Sequence, residues 1–171
     1  MENVGIVYGV EQKVDAKDKK ILKVLFEDGR MSIADIATKT RLRRDSVARR
    51  LKKLRKDKVI TGFVPVINPP ALGYPNIALM LFRVKTGNES AKKKFQDKLV
   101  GNKFILHISK LIGKFDFNCA VIYENTNHLN QIVEEIKTYV PNFIDNFELF
   151  QVVDEPKFEK MSDLLIHKLR L

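Results

Sequence analysis

Four of the six prolines, Pro65, Pro69, Pro70 and Pro75, fall between Val64 and Pro75, with Gly73 among them. Proline fixes φ and removes a backbone donor, so neither a helix nor a central strand runs comfortably through this stretch. It is expected to split the 171 residues into two modules joined by a stiff linker over residues 64–76. Charge divides at the same place. Residues 1–62 hold 17 Lys or Arg against 9 Asp or Glu, a net of +8, whereas residues 63–171 hold 14 against 12, a net of +2. An excess confined to one module points to a polyanion partner for that module alone.

The excess is densest in RLRRDSVARRLKKLRKDK, Arg41 to Lys58, with ten basic residues and two acids, Asp45 and Asp57. At 100° per residue, Val47, Leu51 and Leu54 share one narrow arc, and Asp45, Ser46, Arg49, Lys53 and Lys56 lie roughly opposite. Such a helix packs by one face and can lay the other along a phosphate backbone. A merely solvated helix would carry the same charge. Upstream, Asp15 with Asp18 predicts a helix start. Ile21, Leu22, Leu25 and Phe26 continue at helical spacing, and Gly29 can end the helix. Ser32 with Asp35 resembles a capping box for a second short helix, whose core residues are expected to be Ile33, Ile36 and Ala37. Thr38 to Leu42 is expected as the turn and Val59 to Phe63 as a wing or exit strand. Three short helices with a cationic last one form the layout of a helix-turn-helix DNA-binding domain, here residues 14–63. Residues 1–13 read as an arm or loose strand.

Beyond the linker the periodicity changes. Strands are expected at Ile77–Lys85, Phe104–Ile112, Phe115–Glu124 and Phe147–Val153, and helices at Ser90–Val100 and Asn127–Tyr139. A tight turn at Gly113-Lys114 joins the second and third strands. The order βαββαβ over residues 77–155 predicts an α+β, ferredoxin-like sandwich with both helices on one face of the sheet. Phe82, Val84, Ile105, Ile112 and Phe117 supply more apolar side chains than one helical layer needs, which predicts a sheet-to-sheet homodimer. Residues 156–171 read as a polar, weakly helical tail.

No apolar run approaches the roughly 20 residues of a membrane span, and the first residues lack the basic start and apolar core of a signal peptide. A single cysteine, Cys119, excludes an intramolecular disulfide framework and fits a reducing cytoplasm. His107, His128 and His167 lie far apart, outside any metal-ligand spacing. There is no glycine-rich phosphate loop and no nucleophile elbow, so no metal, cofactor or membrane partner is expected. Asp116 reads as a catalytic acid or, more plainly, as a turn residue capping backbone donors.

Several short patterns recur in a definite order: VDxxDxxIL at Val14–Leu22, DGRMS at Asp28–Ser32, DIA at Asp35–Ala37 and RRLKKL at Arg49–Leu54. VIxGF at Val59–Phe63, INPxxLG at Ile67–Gly73, GKFD at Gly113–Asp116 and QVV at Gln151–Val153 complete the series. Over about residues 14–155 the chain resembles the Lrp/AsnC family, the feast/famine transcription regulators. The resemblance implies a winged-helix-like helix-turn-helix joined to a ferredoxin-like RAM domain. It also implies sequence-specific binding of double-stranded DNA as a homodimer, or as a tetramer or octamer of such dimers. DNA contacts then fall on Arg43, Arg44, Asp45, Ser46, Arg49, Arg50 and Lys53, with Ser46 and Arg44 nearer the base edges. Where the family's recognition helix usually opens with Ser-Pro-Thr, this chain has Arg43-Arg44-Asp45, so Asp45 or Ser46 is expected to take over part of the capping. Lys58 replaces a frequent glycine. The same resemblance suggests an amino acid or other small effector at the Gly113–Asp116 turn. There Gly113 would offer backbone N–H groups, Asp116 a carboxylate, and Leu111, Phe115 and Val152 apolar walls. Two alternatives stand beside this reading. One is an architectural, nucleoid-type DNA binder with little sequence preference. The other is a siroheme-decarboxylase-like enzyme, which the absence of a histidine in Ile67–Gly73 disfavours.

Overall fold

A computed structural model describes residues 6, 8, 9, 13–157 and 165. The arm of residues 1–13 and the tail of residues 156–171 therefore lie almost wholly outside the described residues. The chain forms two compact units, one holding residues up to Pro65 and the other Val66–Pro156.

The first unit is three helices, α1 (Ala16–Glu27), α2 (Ile33–Thr40) and α3 (Arg44–Lys56). Asp15 caps α1 in a full capping box with Asp18, which satisfies backbone donors that a helix start leaves open. Ser32 caps α2: its hydroxyl accepts from Asp35 N at 3.2 Å and donates to Asp35 Oδ2 at 2.6 Å. Ile21, Val24, Leu25, Ile36, Ala37, Val47 and Leu54 make the core. Ile33, expected within it, is 43% exposed. It lies on the core-facing side but at the first position of α2, where it lines an open apolar groove with Leu25, Met31, Leu51 and Phe63.

The turn before α3 is shorter than expected. α2 runs on through Thr40, whose buried hydroxyl donates to Ile36 O at 2.6 Å. Only Arg41–Arg43 remain as connection, with Arg41 in the left-handed region at φ 56°. Neither Asp45 nor Ser46 caps α3; its N-cap, Arg43, makes no side-chain cap bond. Lys58 takes φ 54°, the conformation that favours glycine after a helix. The Val59–Phe63 segment is not a strand, because no described strand of this unit runs beside it to pair with. Instead Phe63 lies against Gly29, where a Cβ would come 3.1 Å from the Phe63 ring.

The second unit opens with a short 3₁₀ turn, Pro69–Leu72. It continues as β1 (Asn76–Val84), α4 (Glu89–Gly101), β2 (Ile105–Lys110), β3 (Phe117–Tyr123), α5 (Thr126–Thr138) and β4 (Ile144–Val152). The sheet order is β2-β3-β1-β4, antiparallel throughout, as a ferredoxin-like fold requires. Phe95 and Leu99 of α4 and Leu129, Ile132 and Ile136 of α5 share one core with one face of the sheet. That face carries Ala78, Met80, Phe82, Val84, Phe117, Cys119 and Val121. Burial pushes the Cys119 thiol up to about 12.

The bare face of the sheet is not formed by the residues expected from the sequence. Phe82, Val84 and Phe117 are buried under the helices, and Ile105 packs against the same core. Ile112 lies outside the strands, fully exposed. Ile77, Leu79 and Leu81 of β1 alternate onto the other face, in register with Ile122, Ala120 and Asn118 of β3 and with Val152, Phe150 and Glu148 of β4. Both parities of β1 are apolar, so its sequence does not say which one the helices cover.

Candidate nucleic-acid interface

The outer face of α3 is set by the burial of its other side. Val47 and Leu54 are buried and Leu51 is half-buried, so Asp45, Arg49 and Lys53 are turned outward and exposed. Arg43 and Arg44 are exposed at the helix start, and Ser46 is half-buried. Lys56, which the sequence already puts on this arc, and Lys52, which it does not, are exposed beside them. Arg55 is exposed as well and holds its guanidinium 5.5 Å above the Phe63 ring. The helical register that selected Arg49 would have found Lys52. Among the described residues, Arg44, Arg49, Lys52 and Lys53 make no ion pair. Their charge is therefore available to an external anion, and the three basic residues of the last turn also oppose the helix dipole favourably.

Arg50 is the exception and corrects the expected site. Its Nη1 lies 2.6 Å from Asp15 Oδ2 and 2.6 Å from Asp18 Oδ1, and its side chain is 17% exposed. The hydrogen bond to Asp18 and then that to Asp15 raise its pKa against the opposing effect of burial. Asp15 is correspondingly lowered, first by the backbone N–H of Asp18 and further by Arg50, although burial works the other way. Arg50 therefore faces α1 rather than an outside partner.

In the second unit, Leu111, Gly113, Phe115 and Asp116 do come together in the β2–β3 connection. Leu111 N donates to Asp116 O at 2.8 Å. Val152 does not join them. It pairs with Ile77 at the start of β1, whereas Asp116 bonds to Phe82 and Val84 at its end. At about 3.4 Å per residue, that separation along β1 is roughly 17 Å. Nor is the Asp116 carboxylate open. Oδ2 accepts from Val84 N at 3.0 Å and Oδ1 from Lys92 Nζ at 2.7 Å. Burial pushes its pKa up, but the bonds from Lys92 and Val84 and the charges of Lys92 and Arg83 outweigh this and leave it lowered. Phe115 is buried, and Lys114 reaches Glu148 at 2.6 Å. What this turn shows to solvent is Leu111, Ile112, the backbone of Gly113 and the side chain of Lys114. Among the described residues no helix is long and apolar enough to cross a membrane.

Residues 14–55 match the family model of the AsnC-type helix-turn-helix domain. The HTH-type transcriptional regulator FL11 of Pyrococcus furiosus is 32% identical over 123 residues, covering 72% of this chain and 80% of that protein. Among solved structures, an AsnC family transcriptional regulator from Agrobacterium tumefaciens superposes with a TM-score of 0.78 at 20% identity, covering 85% of this chain and 94% of the other. A transcriptional regulator of Neisseria meningitidis in complex with L-methionine gives a TM-score of 0.78 at 19% identity, over 89% of this chain and 99% of the other.

Proposed function

The chain belongs to the Lrp/AsnC family of transcription regulators, and we propose that it binds pseudo-palindromic DNA as a homodimer, with α3 of each copy in the major groove. It is a DNA-binding regulator rather than an enzyme, as its relatives are. The observation that carries the groove assignment is the outward face of α3, where Arg49, Lys52 and Lys53 are left without internal partners, as is Arg44, exposed at the helix start. Phosphate contacts from such residues supply affinity, and an arginine held against a base edge supplies preference.

The homodimer is supported by the sheet face that no helix of its unit covers. Ile77, Leu79, Leu81, Ile122, Phe150 and Val152 form one apolar surface across three strands. A second copy laid against it buries the same residues twice, the self-complementary arrangement of a two-fold dimer. Further assembly to tetramers or octamers and a cytoplasmic location complete this reading. For the effector, the support is the L-methionine bound by the Neisseria relative. On this chain an amino acid would meet the Gly113 backbone and Leu111, with Asp116 already engaged by Lys92.

Selection of bound sequences from a random DNA pool at physiological salt tests the reading. The expected product is a pseudo-palindrome with half-sites about one helical turn, or a multiple of it, apart. Recovery of no enriched motif would favour the architectural alternative, in which phosphate contacts act alone.

A further inference from the structure

Arg50 occupies the middle of α3, yet it points away from the cationic face. One guanidinium nitrogen, Nη1, meets both Asp15 and Asp18 at 2.6 Å. Those two carboxylates are also the capping box of α1: Asp15 Oδ1 accepts from Lys17 N and Asp18 N at 2.8 Å each, and Asp18 Oδ2 accepts from Asp15 N at 3.3 Å. The pair thus ties the centre of α3 to the turn of α1 whose backbone is most fully specified. Asp18 is 1% exposed, so this contact is made in a low-dielectric setting, where an ion pair with hydrogen bonds is directional.

α3 has few other fixings. Val47 and Leu54 are its fully buried side chains, and its N-terminus has no side-chain cap. With Val47 and Leu54 buried and Leu51 half-buried beside them on one narrow stripe, the polar contacts of α3 share in setting its rotation about its own axis. A turn of about 20° moves a side-chain end by roughly 2 Å at a helix radius of about 5–6 Å. A bidentate contact to a base edge does not survive that displacement, whereas a contact to the repeating phosphate backbone does.

Resting on the reading of α3 as the recognition helix, we propose that Arg50 is a positioning residue that fixes the rotation of α3. It thereby sets Arg44, Ser46 and Arg49 against base edges and governs site preference rather than general affinity for DNA. The residue touches no base and no phosphate.

Removing Arg50 alone would strand the Asp18 carboxylate in the core. The informative variant is therefore the apolar pair Arg50→Met with Asp18→Leu, with Arg50→Lys as a milder change that keeps the charge. Affinity is measured over a salt series for the selected site and for random DNA of equal length, well below the melting temperature. The expected result is a preference at least tenfold smaller than in the wild type, with random-DNA affinity and salt slope unchanged. Arg50→Lys should fall between the two, and it carries the same test if the double variant does not fold. Wild-type preference in the variants would leave Arg50 a merely structural residue and overturn the proposal. A salt slope reduced by about 0.9 on both DNAs would also overturn it, by making Arg50 a phosphate contact. A wild type with no preference at all would remove the reading of α3 first, and the role of Arg50 with it.

Discussion

Each unit holds a carboxylate against a basic side chain: Asp18 with Arg50 at 2.6 Å in the first, Asp116 with Lys92 at 2.7 Å in the second. In both pairs one member sits in a motif that points, on sequence grounds, to an outside partner. The consequences differ. α3 carries Arg44, Arg49, Lys52, Lys53 and Lys56 besides Arg50, so losing one cation to the interior leaves its outer face cationic. The turn from Leu111 to Asp116 has no second acid, so once Lys92 takes Asp116 the turn has no free carboxylate for an ammonium group. Redundant charge makes the DNA assignment robust to a wrong residue, whereas a site resting on one charged group depends on where that group points.

The largest effect should come from the apolar surface of the second unit. Leu79 lies between Ala120 and Phe150 on the face away from the helices. Leu79→Glu places a charge there without touching the helix-covered core. Sedimentation velocity is expected to show a monomer, and DNA affinity should fall about 100-fold or more through lost bivalency. A dimer that persists would move the interface elsewhere and break the division of labour between the units. A smaller effect, in the first unit, sharpens it. Arg49→Ala and Lys53→Ala should each lower the salt slope of binding by about 0.9. Lys93→Ala and Lys94→Ala on α4 remove exposed lysines as well, yet should leave the slope as it is. Equal effects at the two helices would mean that general positive charge, not the face of α3, binds DNA.

Much of this arrangement was legible in the sequence. Asp15 with Asp18, Ser32 with Asp35 and the Val47–Leu51–Leu54 stripe place the first three helices almost residue by residue, because caps and periodicity are local signals. The connectivity of the second unit follows from the same kind of pattern. What sequence could not supply were facts about partners. Arg50 lies on the same helix as Arg49, and only the packing of α1 shows that its charge is taken. The two apolar parities of β1 look alike until the helices choose Phe82 and Val84 over Leu79 and Leu81. Val59–Phe63 has strand-forming residues, but a strand exists only beside another. Val152 lies close to the expected end of its strand, yet strand register puts it at the opposite end of the sheet from Gly113.

The smallest predicted effect concerns what Asp116 does. Its side chain is 24% exposed, and it joins the β2–β3 connection to Val84 of β1 and Lys92 of α4. Asp116→Asn keeps an acceptor for Val84 N but removes the charge that Lys92 meets. The cost should be on the order of 1 kcal/mol, a few degrees of melting temperature, partly screened by salt. The sign of its pH dependence follows from the lowered pKa. Burial acts to raise it, and the bonds from Lys92 and Val84 outweigh that. A carboxyl with a lower pKa folded than unfolded binds protons more readily in the unfolded chain. Its stabilisation is therefore complete above the unfolded value of about 3.9 and is lost as pH falls through the folded one. Thermal melts of wild type and Asp116→Asn should differ by a constant amount from about pH 5 to 8. The difference should shrink as the pH is lowered further. A gap that stays constant into strong acid would show that Asp116 acts by shape and not by charge. Repeating the melts with saturating L-methionine extends the comparison to the effector. A shift that survives in Asp116→Asn fits a ligand held by the Gly113 backbone and Leu111, and a shift that disappears would return Asp116 to the binding site.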